Sequence, residues 1–276
     1  MATRLPLRYR TSADGPPLSY RAFVPSRGLR RPPLVLVHGT GRGAARQFRA
    51  FLPRAIALGV PLIAPELPGE RFAGYQSLGG ADGPLAGMAA FVATLDDAAS
   101  HLQLPTERID LFGFSGGAQF VHRFAMLAPA PVRRAVVASA GWYTYLDQDR
   151  PFPRGVAPGE RSGGRPVDVD AFLRIPMHVL VGERDVEQDL GLRTGKAIDR
   201  RQGPNRLARA LCWMDHLEEA ARARGLPPRV SFDLLTDTGH SFSEAAERGG
   251  LVDRTFDFLH PTPGPPDPID DRTAQP

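Results

Sequence analysis

The stretch Leu111-Phe112-Gly113-Phe114-Ser115-Gly116-Gly117-Ala118 constrains this chain more than any other. Before it, residues 107–113 read as a short buried strand. After it, Phe120, Val121, Phe124 and Leu127 recur at helical spacing. A serine held between strand and helix, with Gly113 two residues before and Gly117 two after, fits the pattern Gly-x-Ser-x-Gly. The glycines answer a steric demand, because the turn is so sharp that neighbouring Cβ atoms would collide. Such a turn lifts the serine hydroxyl to the end of a sheet, at the N-terminus of a helix whose dipole favours developing negative charge. The same residues also fit a serine that merely caps a helix after a glycine turn. The rest of the chain decides between the two.

A chain of 276 residues can bury a full core. It contains no run of eighteen apolar residues, so no membrane span is expected. The first ten residues are interrupted by arginines and lack an apolar stretch, which argues against a secretory signal. The single cysteine, Cys212, excludes an internal disulfide and fits a reduced, cytoplasmic setting. Beside Trp213 and Met214 in a predicted helix, it reads as a packing residue. The net charge of +4 invites a nucleic-acid reading, but the arginines are scattered among acids and Lys196 is the only lysine. No basic run interleaves with aromatics, so no nucleic-acid partner is expected. Nothing in the sequence fixes an oligomeric state.

Along the chain, residues 5–10 and 18–24 alternate around Asp14-Gly15-Pro16 and predict an antiparallel hairpin. Residues 34–37 form a continuous apolar run, as expected of a strand buried on both faces. Further strands are predicted at 60–64, 132–139, 177–182 and 230–235, with helices at 45–58, 85–101, 205–224 and 243–259. Antiparallel strands followed by repeated β-α units predict an α/β fold, a mostly parallel sheet with helices on both faces. One domain is expected over residues 1–260, followed by a proline-rich, disordered tail at 261–276. Residues 65–84 and 141–170 are longer than ordinary connections. The second reads as a short cap, in which Trp142, Tyr143, Tyr145 and Phe152 either face a ligand or anchor a long loop to the core.

A serine needs a base to take its proton, a carboxylate to orient that base, and donors for an oxyanion. His240, in Thr238-Gly239-His240 between the last strand and the last helix, is the base candidate. Asp185 follows the strand at 177–182 and is the acid candidate, with Glu183, Glu187 and Asp189 as rivals. Serine, then acid, then histidine is the order a strand-borne Gly-x-Ser-x-Gly serine uses. The N–H of Gly116 offers one oxyanion donor and that of Thr40, in His38-Gly39-Thr40-Gly41, a second. Gly41, Trp142 and Tyr143 are candidates for lining the substrate site.

On these four separated signals the chain resembles an α/β-hydrolase-fold serine hydrolase. The likeness is nearest to small bacterial esterases and to the dienelactone-hydrolase-like and polyhydroxyalkanoate-depolymerase-like branches, although the dienelactone branch uses cysteine where this chain has Ser115. The resemblance implies a three-layer fold with an eight-stranded sheet. It also implies cleavage of a small ester-like substrate by Ser115, His240 and Asp185 without a metal or organic cofactor. Two rivals stand beside it. Residues 39–44 also fit the dinucleotide pattern Gly-x-Gly-x-x-Gly/Ala, with Glu66 placed for a ribose. A hydrolase fold can also bind a ligand without turning it over.

Overall fold

The computed structural model describes residues 7–10, 17–26, 31–189 and 191–261; the hairpin turn at Asp14-Gly15-Pro16 and the tail from residue 262 lie outside the described residues. Eight strands form one sheet: β1 (Leu7–Arg10), β2 (Tyr20–Phe23), β3 (Leu34–Val37), β4 (Leu62–Pro65), β5 (Ile109–Phe114), β6 (Val132–Ala138), β7 (Met177–Gly182) and β8 (Val230–Leu235). Their order is β1-β2-β4-β3-β5-β6-β7-β8, with β2 antiparallel to both β1 and β4 and every other pair parallel. The four-residue run of β3 is buried throughout, as its unbroken apolar sequence requires.

Helices cover both faces. On one side α1 (Ala44–Leu58) and α8 (Leu251–Leu259) bring Phe48, Phe51 and Phe256 against Leu36 and Phe112. On the other, α2 (Ala86–Leu102), α3 (Gly116–Leu127), α4 (Val169–Leu173) and α6 (Arg206–Arg222) pack Phe91, Phe120, Phe124, Phe172 and Trp213 over Val35, Val137 and Val179. Phe91 meets Phe124 edge-on at 4.9 Å between ring centres. Two shorter helices, α5 (Lys196–Gln202) and α7 (Phe242–Glu247), lie in the connections after β7 and β8.

The chain runs outward from β3 to β4 in one direction and from β5 to β6 in the other. The connections after β3 and β5 therefore part at the carboxyl edge of the sheet, and a crevice opens between them, the usual ligand position in open α/β sheets.

Two sequence expectations need correction. The predicted helix at 243–259 is two helices, α7 and α8, broken at Gly249-Gly250. A Cβ at Gly249 would lie 2.5 Å from the Thr238 hydroxyl, and Gly250 adopts a left-handed conformation with φ 72°. Cys212 is exposed, not packed. The buried stripe of α6 runs through Ala210, Trp213, Leu217 and Ala221, which turns position 212 outward.

Candidate active site

Ser115 sits at φ 55° and ψ −113°, a conformation unfavourable to any residue with a Cβ. It is held there by close backbone approach. Added Cβ atoms at Gly113 and Gly117 would fall 2.3 Å from the Gly117 carbonyl oxygen and 2.0 Å from that of Val37. Glycine at both positions is thus a condition for packing α3 onto β3 and β5. The Ser115 N–H continues the sheet by donating to the Ala138 carbonyl at 2.8 Å.

The imidazole of His240 lies beside the hydroxyl, with Nε2 at 3.0 Å from Ser115 Oγ. Its Nδ1 is 2.8 Å from Asp185 Oδ2. The ring rests on Phe114, 5.4 Å between ring centres. These three side chains come from separate loops that follow β5, β7 and β8. The last two loops are laced together, because Arg184 N–H donates to the Thr238 carbonyl at 2.9 Å and Gly182 leaves no room for a Cβ against that carbonyl. With Asp185 accepting the Nδ1 proton, Nε2 is left free to accept the serine proton.

Among the rival acids, Glu183 accepts the N–H of Asp237 at 3.2 Å. Asp189 receives a two-pronged contact from Arg206, at 2.8 and 2.9 Å, and that guanidinium holds its carboxyl down at about 2. Arg206 is itself buried, and its Nη1 also donates to Asp185 Oδ1 at 3.2 Å. Asp185 is therefore fixed from two sides, by the imidazole and by a guanidinium. Nothing in the sequence marks Arg206 for this place, since it lies 21 residues after Asp185 on another element.

The loop after β3 forms the opposite wall. A Cβ at Gly116 would meet Thr40 Cγ2 at 3.0 Å, so Thr40 and Gly116 adjoin across the crevice. Two residues brace this loop. His38 is buried; its Nε2 accepts the Leu67 N–H at 3.0 Å and its Nδ1 donates to the Gly39 carbonyl at 2.9 Å. Burial pushes its pKa down to about 4, so the ring is neutral. Tyr75, which no sequence motif marks, donates its hydroxyl to the His38 carbonyl at 2.8 Å. Arg42 stacks on Tyr75, 4.6 Å from ring centre, and donates to the Leu67 and Phe72 carbonyls. Its guanidinium is committed to structure. Glu66 is engaged by Arg21.

A cavity of about 210 Å³ opens over Ser115 and His240, lined also by Gly39, Thr40, Gly41 and Phe242. Gly41 therefore faces this cavity. Tyr143 does not: it is wholly buried and stacked on Trp213 at 4.5 Å between ring centres. Residues 143–146 are anchored to the neighbouring helices. His122 and His216 accept the N–H groups of Thr144 and Leu146, Trp213 donates to the Thr144 carbonyl, and Gln202 pairs with both backbone groups of Tyr143. Tyr145 and Phe152 are buried anchors too, whereas Trp142 is partly exposed and lines a separate cavity.

No protein-family model matches the chain, and no curated protein matches it in sequence. Solved structures do. LpqC, the poly(3-hydroxybutyrate) depolymerase of Bordetella parapertussis, is 27% identical over 89% of this chain and 85% of its own, with a TM-score of 0.72. Poly(aspartic acid) hydrolase-1 of Sphingomonas sp. KT-1 is 26% identical over 92% of this chain and 98% of its own, with a TM-score of 0.74. A carboxylesterase of Mesorhizobium loti shares the fold at 18% identity and a TM-score of 0.54, covering 90% of this chain and 97% of that one. These neighbours are hydrolases, and no helix among the described residues is long and apolar enough to cross a membrane. With its strand order and the crevice above β3 and β5, the chain has the α/β-hydrolase fold in the esterase-like form of these solved structures.

Proposed function

We propose that this protein is a serine hydrolase that cleaves a carboxylic ester or related acyl bond through an acyl-enzyme. The observation that carries the reading is the unbroken relay from Ser115 Oγ to His240 Nε2 at 3.0 Å and from His240 Nδ1 to Asp185 Oδ2 at 2.8 Å. As Ser115 Oγ bonds to the acyl carbon, His240 Nε2 takes the hydroxyl proton and the carbonyl oxygen becomes an oxyanion. The N–H groups of Gly116 and Thr40 are assigned to that oxyanion. Collapse breaks the bond to the leaving group, which receives the proton from His240. Water then attacks the acyl-serine, again giving its proton to Nε2, and collapse releases the acid while Ser115 Oγ takes that proton back. Asp185 holds the imidazole in the tautomer that accepts at Nε2 and stabilises the imidazolium. Arg206 is the positioning residue that keeps Asp185 in place.

A cavity of about 210 Å³ is smaller than the roughly 300–1,000 Å³ usual for drug-sized ligands. It suits short acyl groups, so p-nitrophenyl acetate and butyrate should be turned over faster than long-chain neutral esters. Stopped-flow release of p-nitrophenol tests the mechanism. A burst stoichiometric with protein, followed by a slower steady state, is expected, and Ser115→Ala should abolish both. Hydrolysis that persists in that variant overturns the assignment, and a folded protein inert to every ester points to a binding role.

A further inference from the structure

A second cavity, of about 380 Å³, opens where the chain leaves β6 and β7, and its wall carries Trp142, Arg150, Arg154, Arg193, Lys196 and Arg201. Five cations thus face one hollow, and one carboxylate answers two of them. Asp147 accepts from Arg201 at 2.6 Å and lies 3.3 Å from Arg150. Asp199, next along α5, is engaged by Arg209 at 2.7 Å. Among the described residues, Arg154, Arg193 and Lys196 have no carboxylate partner.

Surface arginines are ordinarily just solvated. These differ in being gathered in one concavity, and Arg193 in being held on an aromatic ring. The Trp142 ring is flanked by Arg123 at 3.9 Å and Arg193 at 5.5 Å from its centre. Arg123 is wholly buried, and its Nη2 has no hydrogen-bond partner among the described residues. Its Nη1 donates to Gln119 Oε1, and the Gln119 N–H donates to the Ser115 carbonyl one helical turn earlier. The cationic hollow and the reactive serine are thereby joined through a single rigid element, α3. A recess lined by one sign of charge concentrates anions, and guanidinium forks match the planar oxygens of carboxylate and phosphate alike.

We propose that this cavity receives an oxyanion group, carboxylate or phosphate, borne by the substrate whose acyl bond Ser115 cleaves. The inference rests on the hydrolase reading above and names the substrate class: an ester with an anionic group remote from the scissile bond.

The test compares p-nitrophenyl monoesters of dicarboxylic acids, from glutarate to suberate, with the uncharged p-nitrophenyl alkanoates of equal length. At one length in this series, kcat/KM should favour the anionic ester by on the order of tenfold or more. Arg154→Gln and Arg193→Gln should each pull that ratio down several-fold, while Arg49→Gln, on the exposed face of α1, should not move it. Ionic strength of about 1 M, where charges are screened beyond about 3 Å, should also compress it. A preference for the neutral ester at every length, or a ratio identical in the variants and the wild type, overturns the proposal. Calorimetry with glutarate and with inorganic phosphate reads the cavity without turnover and tells the two oxyanions apart. Binding that weakens in both variants sustains the site even where no ester is cleaved, and then the hydrolase reading is what fails. Turnover of neutral esters with no binding of either anion overturns the site and leaves hydrolysis standing.

Discussion

The surroundings of Ser115 and those of Trp142 are built in opposite ways. Around Ser115 and Thr40 the parts fit because atoms are missing: glycines at 113 and 117 let backbone touch backbone, and Gly116 leaves room for the Tyr75 hydroxyl and the Thr40 methyl. Around Trp142 the parts fit because long side chains are present. His122, Gln202, Arg209 and Trp213 reach across to carbonyls and N–H groups of the 141–144 segment, and Arg123 donates to the Thr144 hydroxyl. The first construction holds the backbone around Ser115 by direct contact. The second fixes a loop through side-chain cross-links.

That contrast can be broken at several points. The largest effect is expected from Ser115→Ala or His240→Ala, each lowering kcat on the order of 10⁴-fold or more, with the double variant little worse because the residues act as a unit. Additive losses in ester assays would contradict the relay. Gly117→Ala should come next. Its new Cβ would sit 2.0 Å from the Val37 carbonyl oxygen, and overpacking at such a point costs about 3 kcal/mol. A urea midpoint equal to wild type would show that β3 and α3 do not need this contact. Arg206→Gln should lower kcat about 10–10²-fold through a displaced Asp185, with KM little changed. A change confined to KM would instead place Arg206 against the substrate.

Buried neutral histidines give a smaller, pH-dependent effect. His38 and His260 are both pushed down from 6.5 to about 4, mainly by burial. In that window the unfolded chain binds protons that the folded chain refuses, so stability is fully present above about 6.5 and falls as pH drops toward about 4. Urea midpoints that stay level or rise on acidification across this range would contradict the assignment. Smallest of all, Cys212→Ser should shift stability by no more than about 0.5 kcal/mol, because the thiol is exposed. In the native protein that thiol should react readily with a disulfide reagent.

The same contrast explains what the sequence disclosed. Close backbone approach forces glycine, so Gly113 and Gly117 stand out in one dimension, and the strand-to-helix switch around them follows from hydrophobic spacing. The eight strands were legible from their apolar runs and alternation, and the loops that carry Asp185 and His240 from the strands before them. Side-chain cross-links leave no such mark. Arg206 is one of many arginines, and its partners Asp185 and Asp189 lie 21 and 17 residues away on a different element. Tyr75 meets the His38 carbonyl across 37 residues. The aromatic run of 142–145 reads alike whether its rings face a ligand or the core, and only the partner helix α6 settles that Tyr143 turns inward on Trp213. The break between α7 and α8 was missed because two adjacent glycines mark a turn as readily as a close approach, and Thr238 supplies the deciding contact.

The most direct test is covalent. A fluorophosphonate reacts with a serine only where its hydroxyl is activated, so intact-protein mass spectrometry followed by peptide mapping reads the relay itself. One adduct per chain on Ser115, lost on prior heat denaturation and in His240→Ala, is the predicted result. A well-folded protein that stays unlabelled, or an adduct on another residue, would contradict the account.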